Sequence, residues 1–597
     1  MNTTSTKWVP SLTNDEYGMF PVEEMVLAGR RQKVYKNVSP PTSTADNQLP
    51  KTFRHLLREG TRKFADRVVV SSPIPLPADF YAREELTFQQ VYDRALALAG
   101  ILRERGVKVG DKVALGGNNS ADWVIAFVAL QLLGVNGVLL NATLTPEAQV
   151  HCLALTGPKF VLVEEAMAGE IGPLADELKS KGVGPIWCWS SVKHLPAAAQ
   201  AGVQEISSLK PAAAQTVRDI DAGTSLEGLE ADSDAFIAFT SGTTSMPKGV
   251  LLSHRAALHM LQTSPLIMAR ALLRNGRTLD EVMELMNTPP PQQPCHLMAT
   301  PLFHVTALCG GFIAQYASGI KSVFMRRWSV PEAVKLIVAN NVQFLGGVPA
   351  VVQSVLQSPD LPKDWVFNRF SYGGAPPPTR LAGDLVKRWP GAMPAMHVGF
   401  CGPDYVSKPE AVGPPMPINE IRIVDPETRA VLPTRGFGII EARGSNMMKG
   451  YYNNPKANIE TINEDGWLDT GDMGFIDEDG DLWIPKDMII RGGENIASAE
   501  VEYVVSQDER MACVAAVAVP DDVLGELVGI AVELAPGQVV SPQEIIDFAD
   551  ARLRYPARPV ICVVFDELRK FTGASPTDPS TRRDEQGAQE RGQEGSP

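Results

Sequence analysis

One stretch constrains this chain more than any other: residues 239–249, Phe-Thr-Ser-Gly-Thr-Thr-Ser-Met-Pro-Lys-Gly. Thr240, Ser241, Thr243, Thr244 and Ser245 bring hydroxyl groups, and Gly242 and Gly249 let backbone N–H groups approach a ligand closely. Lys248 adds a mobile positive charge. Phosphate oxygens want several donors and a cation together, so this inventory suits a nucleotide-phosphate loop. Ser, Thr and Gly also populate ordinary surface turns. The neighbours favour the phosphate reading: 235–239, Ala-Phe-Ile-Ala-Phe, reads as a buried strand, and 249–254, Gly-Val-Leu-Leu-Ser-His, resumes regular structure at once. It is not a Walker loop, because Lys248 follows Pro247 and no Gly-Lys-Ser/Thr is present.

A loop of this kind needs a frame, and 597 residues are enough for at least two domains. Alternating helical and strand patterns predict the frame. Thr87 and Gln90 form a plausible capping box ahead of a helix whose apolar face carries Val91, Ala95, Leu98 and Leu102. Residues 112–116 and 159–163 read as strands. The run 122–140 reads as helix, turn and buried strand, with Gln131, Gly134, Asn136 and Gly137 arguing against a membrane span. Residues 334–345 repeat the helix-then-strand pattern and stop at Gly346. Such alternation predicts α/β layers with mostly parallel sheets.

The expected boundaries are an extension over 1–48, a large domain over 49–484, a small domain over 485–575 and a disordered tail over 576–597. Residues 473–484 predict two strands around an Asp/Gly turn, and the small domain carries strands near 512–519 and 528–532. Charge narrows the partners: 55 basic residues against 69 acidic ones leave −14, which disfavours a nucleic-acid surface. Seven scattered cysteines without a Cys-x-x-Cys pair, and a polar amino terminus, predict reduced thiols in an intracellular, cytoplasmic protein. Peripheral membrane association and oligomeric state stay open.

Three further places carry candidate chemistry. Residues 301–306, Pro-Leu-Phe-His-Val-Thr, set His304 among apolar neighbours, where a satisfied interior histidine is the commoner outcome. Residues 371–376, Ser-Tyr-Gly-Gly-Ala-Pro, suit close approach to a planar ligand or a plain strand-ending turn. Asp472, after Thr470 and Gly471, could accept hydrogen bonds from ribose hydroxyls or simply hold a turn.

Taken in order, residues 239–249, Pro-Leu-Phe-His304, Gly-Gly-Ala375, Gly-Trp-Leu-Asp-Thr-Gly-Asp472 and 486–496, Lys-Asp-Met-Ile-Ile-Arg-Gly-Gly-Glu-Asn-Ile, closely resemble the adenylate-forming acyl-CoA synthetases. The resemblance spans roughly 50–575. It implies a large multi-subdomain adenylation domain and a small mobile α+β carboxyl-terminal domain. It further implies that residues 240–249 hold the triphosphate of ATP, with Lys248 and Thr243 acting during attack by a small-molecule carboxylic acid. Gly373, Gly374 and Ala375 would flank adenine, Asp472 would bind ribose and Lys486 would reach ribose or phosphate. His304 would line the acyl site and time thiol access. Arg491, Gly492, Gly493 and Glu494 would lie near the pantetheine entrance for coenzyme A, and Mg2+ would accompany ATP.

Three motifs depart from the family pattern. Residues 398–402, Val-Gly-Phe-Cys-Gly, put Cys401 and Gly402 where a threonine and the magnesium-associated glutamate are expected, with Asp404 two residues beyond. The hinge pair is absent; Pro485, with fixed φ and no N–H, stands there instead. The late lysine is missing after 572–573, Thr-Gly, where Ala574 and Ser575 follow and Lys570 is displaced. Two accounts therefore stay open: an acyl-CoA ligase, and a catalytically impaired adenylate-fold protein that binds nucleotide or a protein partner. The acid is not named by the sequence, though Phe303, Val305, Ala307 and Leu308 would suit a fatty or aromatic one.

Overall fold

A computed structural model of the chain describes residues 50–74, 82–224, 226–240, 246–288, 290–325, 327–373, 381–389, 393–396, 403–408, 411–416, 419–484, 488–492, 494–508, 510–521, 523–535 and 537–565. It divides into two compact units: the first is 1–486 with 492–494 and 522–525, and the second comprises 487–491, 495–521 and 526–597.

The first unit is built on two large sheets and one small one. An eight-stranded sheet runs in the order Gly450–Tyr451, Gly249–Ser253, Asp234–Phe239, Asn136–Leu140, Lys112–Gly116, Phe160–Val163, Ile186–Cys188, Val203–Glu205. It is parallel except at the edge made by Gly249–Ser253 and Gly450–Tyr451. A seven-stranded sheet runs Met393–Met396, Arg369–Tyr372, Phe344–Gly347, Cys295–Met298, Lys321–Phe324, Val68–Pro73, Arg83–Thr87, antiparallel only in its last pair. The expected α/β class and largely parallel sheets are what the chain forms.

The capping box read at Thr87 is present. Thr87 caps Phe88–Glu104 through a complete capping box with Gln90. Ser120 caps Ala121–Leu132, a helix apolar apart from Asp122 and Gln131 and buried apart from Asp122. Its Trp123 stacks on Phe127, and Phe127 meets Phe53 edge-on at 5.6 Å, which helps fix the central core. Among the described residues no helix is long and apolar enough to cross a membrane.

A four-stranded antiparallel sheet, Asn419–Val424, Gly438–Gly444, Leu468–Ile476 and Leu482–Trp483, completes the first unit. Only its last two strands are anticipated by the sequence. Its inner faces hold charge as well as hydrocarbon: Glu420 and Glu441, 3% and 2% exposed, are paired with Arg443 and with Arg422 and Arg429. Arg422 and Arg443 also lie over Trp467, at 4.2 and 4.6 Å from the ring centroid.

The second unit centres on a five-stranded sheet of Glu494–Ala497, Met488–Arg491, Gly525–Leu534, Met511–Asp521 and Ile561–Phe565. The helices Ser498–Val505 and Pro542–Asp550 supply its core through Val501, Val505, Ile545 and Ala549. The strands expected near 512–519 and 528–532 are present and longer.

Candidate nucleotide and acyl site

The phosphate-loop candidate is the connection of an antiparallel hairpin. Asp234–Phe239 pairs with Gly249–Ser253, Phe239 opposite Gly249. Two bonds pin the ends of the connection: Thr240 N–H donates to Lys248 O, and Lys248 N–H donates to Thr240 Oγ1, both at 3.1 Å. His151 Nε2 meets Pro247 O at 3.2 Å. Gly249 is required by packing, since a Cβ there would stand 2.9 Å from Ile237 Cγ2. Lys248 Nζ lies 5.1 Å from the Tyr451 ring centroid, a cation–π contact that keeps the ammonium at the hairpin end. Ser241, Gly242, Thr243, Thr244 and Ser245 lie outside the described residues.

The acyl-site candidates follow the Cys295–Met298 strand of the seven-stranded sheet. His304 N–H closes a turn onto Pro301 O at 3.1 Å, and His304 O receives Leu308 N–H at 2.9 Å. Residues Thr306–Ile313 then wind as a π-helix, a form concentrated at functional sites. Asn119, unremarked in the sequence, clamps the approach: its amide donates to Thr300 O at 2.9 Å and accepts from Leu302 N–H at 2.7 Å. The isolated sequence odds favoured an interior histidine; His304 is instead exposed. Its ring sits 4.6 Å from that of Phe303, and crowding by protein atoms still lowers its pKa below the ordinary histidine value.

A cavity of 410 Å³ lies beside this segment. Thr306, Ala307, Gly310 and Gly311 form part of its wall, as do Gly347 and Ser371. Gly373 N–H continues the strand ladder onto Gly347 O at 3.1 Å, so the cavity joins the stretch after His304 to the strand end before Gly373. Of the four apolar residues expected around an acid, only Ala307 lines it; Phe303 and Leu308 are core, and Val305 is exposed. Met260, Leu261, Met268, Leu285 and Met286 supply the apolar wall instead. Gly374 and Ala375 lie outside the described residues.

Asp472 stands on Leu468–Ile476 of the small sheet, following Gly471 at φ +78°. Its N–H donates to Thr470 Oγ1 at 3.2 Å, and Thr470 donates to Ile440 O at 2.9 Å. Desolvation raises the Asp472 pKa above the ordinary aspartate value, although the residue remains exposed and open to a ligand. In the second unit, Arg491 is engaged locally: its guanidinium makes long bonds of 3.4 and 3.5 Å to Pro556 O and Arg558 O and covers Tyr555 at 5.4 Å. Gly492 takes φ +61°, and Glu494 is exposed. Lys486, Gly493, Pro485 and Lys570 lie outside the described residues.

Among the described residues no donor set fits a protein-held Mg2+. Cys401 and Gly402 lie outside the described residues, and neither is a hard oxygen ligand through its side chain. Among the described residues one group of three carboxylates is close enough for a cation, Asp477, Asp479 and Asp481, and Lys408 Nζ bonds all three at 2.5–2.8 Å.

The chain is similar to known proteins over most of its length. Residues 57–452 match the family described as AMP-binding enzyme. A 3-[(3aS,4S,7aS)-7a-methyl-1,5-dioxo-octahydro-1H-inden-4-yl]propanoyl:CoA ligase of Rhodococcus jostii (strain RHA1) is 28% identical over 527 residues, 85% of this chain and 93% of that protein. A 4-coumarate–CoA ligase 5 of Oryza sativa subsp. japonica is 29% identical over 517 residues, 83% and 88% of the respective chains. The solved o-succinylbenzoate CoA synthetase (MenE) from Bacillus subtilis, bound with its product analogue OSB-NCoA, shares the fold. It has a TM-score of 0.58 at 24% identity, covering 87% of this chain and 95% of that one.

Proposed function

We propose that this chain, which belongs to the AMP-binding enzyme family, is an acid–thiol ligase that converts a carboxylic acid to its coenzyme A thioester at the expense of ATP. In its general form, adenylate formation followed by ligation to coenzyme A is the chemistry of that superfamily. The acid carboxylate attacks the α-phosphorus, pyrophosphate leaves, and the thiol of coenzyme A then displaces AMP. The observation that carries this reading is the cavity whose wall runs from the segment after His304 to the strand end before Gly373. A pit closed by glycine-rich strand ends and an apolar helix suits an acyl group with its carboxylate at the mouth.

The residues then have separable tasks. Lys248, held at the hairpin end by Tyr451, supplies positive charge against the polyphosphate as charge moves onto the leaving group. Thr240 and the hydroxyl-bearing residues within 241–245 would bring their donors with it. Asp472 accepts from the ribose hydroxyls. His304, whose pKa is lowered by desolvation, stands at the acyl entrance beside the path of the thiol. Arg491 to Glu494 receive the pantetheine arm. The proposed working boundary between the two domains lies near residue 485.

A second reading, a nucleotide-binding protein without turnover, draws on Gly402 and Ala574, which lack the carboxylate and amine that the family pattern expects. Pyrophosphate exchange across a panel of carboxylic acids, followed by mass detection of coenzyme A esters, separates the two. Exchange and an ester are expected. Nucleotide binding without exchange for any acid would leave the second reading standing.

A further inference from the structure

His296, Phe344 and Arg369 make one row of the cavity's lining across three parallel strands, and Met298, Gly346 and Ser371 make the next. Past the end of the first strand the chain leaves the ladder. Thr300 and Thr306 line the same cavity on either side of a turn, and that turn carries His304. Outside the ladder, its main-chain groups need partners from elsewhere.

Asn119 supplies them. Its Nδ2 donates to Thr300 O at 2.9 Å and its Oδ1 accepts from Leu302 N–H at 2.7 Å, so one carboxamide does what a neighbouring strand would do. The two bonds bracket Pro301, whose carbonyl receives the His304 N–H at 3.1 Å. Leu302 and Phe303 are 1% and 4% exposed, so the residues between the clamp and the imidazole are themselves packed in the core. His304 O then receives Leu308 N–H at 2.9 Å as the helical run begins. An exposed imidazole is thus mounted on a main chain with little freedom to shift.

The clamp is itself anchored. Asn119 belongs to the loop that follows Lys112–Gly116 in the eight-stranded sheet. Before it, Asn118 donates to Glu164 Oε1 at 2.7 Å. After it, Ala121 N–H donates at 3.0 Å to the buried hydroxyl of Ser72, on the Val68–Pro73 strand of the seven-stranded sheet. The loop ties the two sheets together, and the place of His304 is referred to both.

Resting on the ligase reading, we propose that Asn119 is a positioning residue for the acid–thiol ligase reaction: its carboxamide fixes the turn that carries His304, and with it the step in which the thiol replaces AMP. Catalytic and gating groups on loops work only when the scaffold holds them to a fraction of an ångström.

The test uses the full chain and chemically prepared hexanoyl-, decanoyl- and cinnamoyl-AMP mixed with coenzyme A, so that thioester formation is read without adenylation. Asn119→Leu keeps shape and neutrality and loses both bonds. It is expected to slow thioester formation at least about tenfold, with the KM for ATP in pyrophosphate exchange with the parent acids unchanged. Asn119→Gln, which keeps donor and acceptor on a longer stem, should recover part of the rate. Added to His304→Ala, Asn119→Leu should cost less than about twofold more, because both changes remove one function. Asn118→Ala, which alters the same loop without touching the clamp, should stay near the native rate. A second measurement needs no turnover: the His304 resonance of 13C-histidine protein, assigned by its loss in His304→Ala, should titrate at a shifted midpoint in Asn119→Leu. Should the leucine variant fail to fold, Asn119→Ser, too short to span both groups, takes its place. A native rate without the carboxamide, or an equal loss with and without His304, overturns the inference and leaves the ligase reading intact. No thioester from any of the adenylates with the native chain removes the ligase reading. The titration then decides alone, a moved midpoint supporting the clamp and an unmoved one overturning it.

Discussion

Lys408 Nζ sits 2.8 Å from Asp477 Oδ2, directly behind the turn that joins two strands of the small sheet. The same ammonium reaches Asp479 and Asp481, so a side chain does here what a bound cation does in an acidic loop. Burial opposes the charge on Lys408, but its three partners outweigh that cost and raise its pKa. Burial likewise works against Asp477, yet Lys408, the Trp483 indole N–H and the Asp481 amide hold it down at about 2.

Replacing Lys408 with Met leaves three crowded carboxylates without their counter-charge. The expected loss is about 2–4 kcal/mol, read as a shift in the urea midpoint. A loss under about 0.5 kcal/mol would mean that water already screens the cluster.

Acid should destabilise the protein in two stages. His254 is fully buried, accepts Phe53 N–H at Nδ1, and has its pKa lowered to about 4 by desolvation. The unfolded chain therefore takes up that proton first, so this contribution is complete above about pH 6.5 and fades as pH falls toward 4, by roughly 3 kcal/mol. Asp477, also depressed, contributes above about pH 4 and loses its share toward pH 2. Denaturation midpoints measured from pH 7 to 3 should show the first stage in the native chain and not in His254→Gln.

Lys248→Ala should lower acid-dependent pyrophosphate exchange by about 10²–10³, as removing one transition-state contact does elsewhere. Thr240→Val takes the acceptor from Lys248 N–H and should raise the KM for ATP with a smaller effect on kcat. An unchanged rate in the alanine variant would displace Lys248 from its assigned role.

Gly346→Ala forces a methyl against His296 Nε2. Overpacking at about 1–3 kcal/mol is expected, with a higher KM for the acid and an unchanged KM for ATP. A rise in both would point to a disturbed sheet, not a filled cavity.

The sequence was most legible where apolar patterning, caps and packing agree. The strands around residues 240–248 and the helix after Thr87 follow from local rules. The strands Asn419–Val424 and Gly438–Gly444 do not, because Glu420, Arg422, Glu441 and Arg443 break the hydrophobic alternation that marks a strand. Their charges are tolerated inside only because each finds its partner on the neighbouring strand, a pairing invisible along the chain. Motif residues could be numbered from sequence, but His296, Gln315, Asn119 and Arg369 could not be singled out. Each acquires meaning through register or a long-range contact: Asn119 through a loop about 180 residues later, and His296 and Arg369 by sharing a row with Phe344.

That shared row is held by the backbone. The ladder bonds that hold the three strands in register run through the main chain and not through the side chains at 296, 344 and 369. Exchanging one displayed group would therefore change the lining of the cavity while leaving the strand pairing in place.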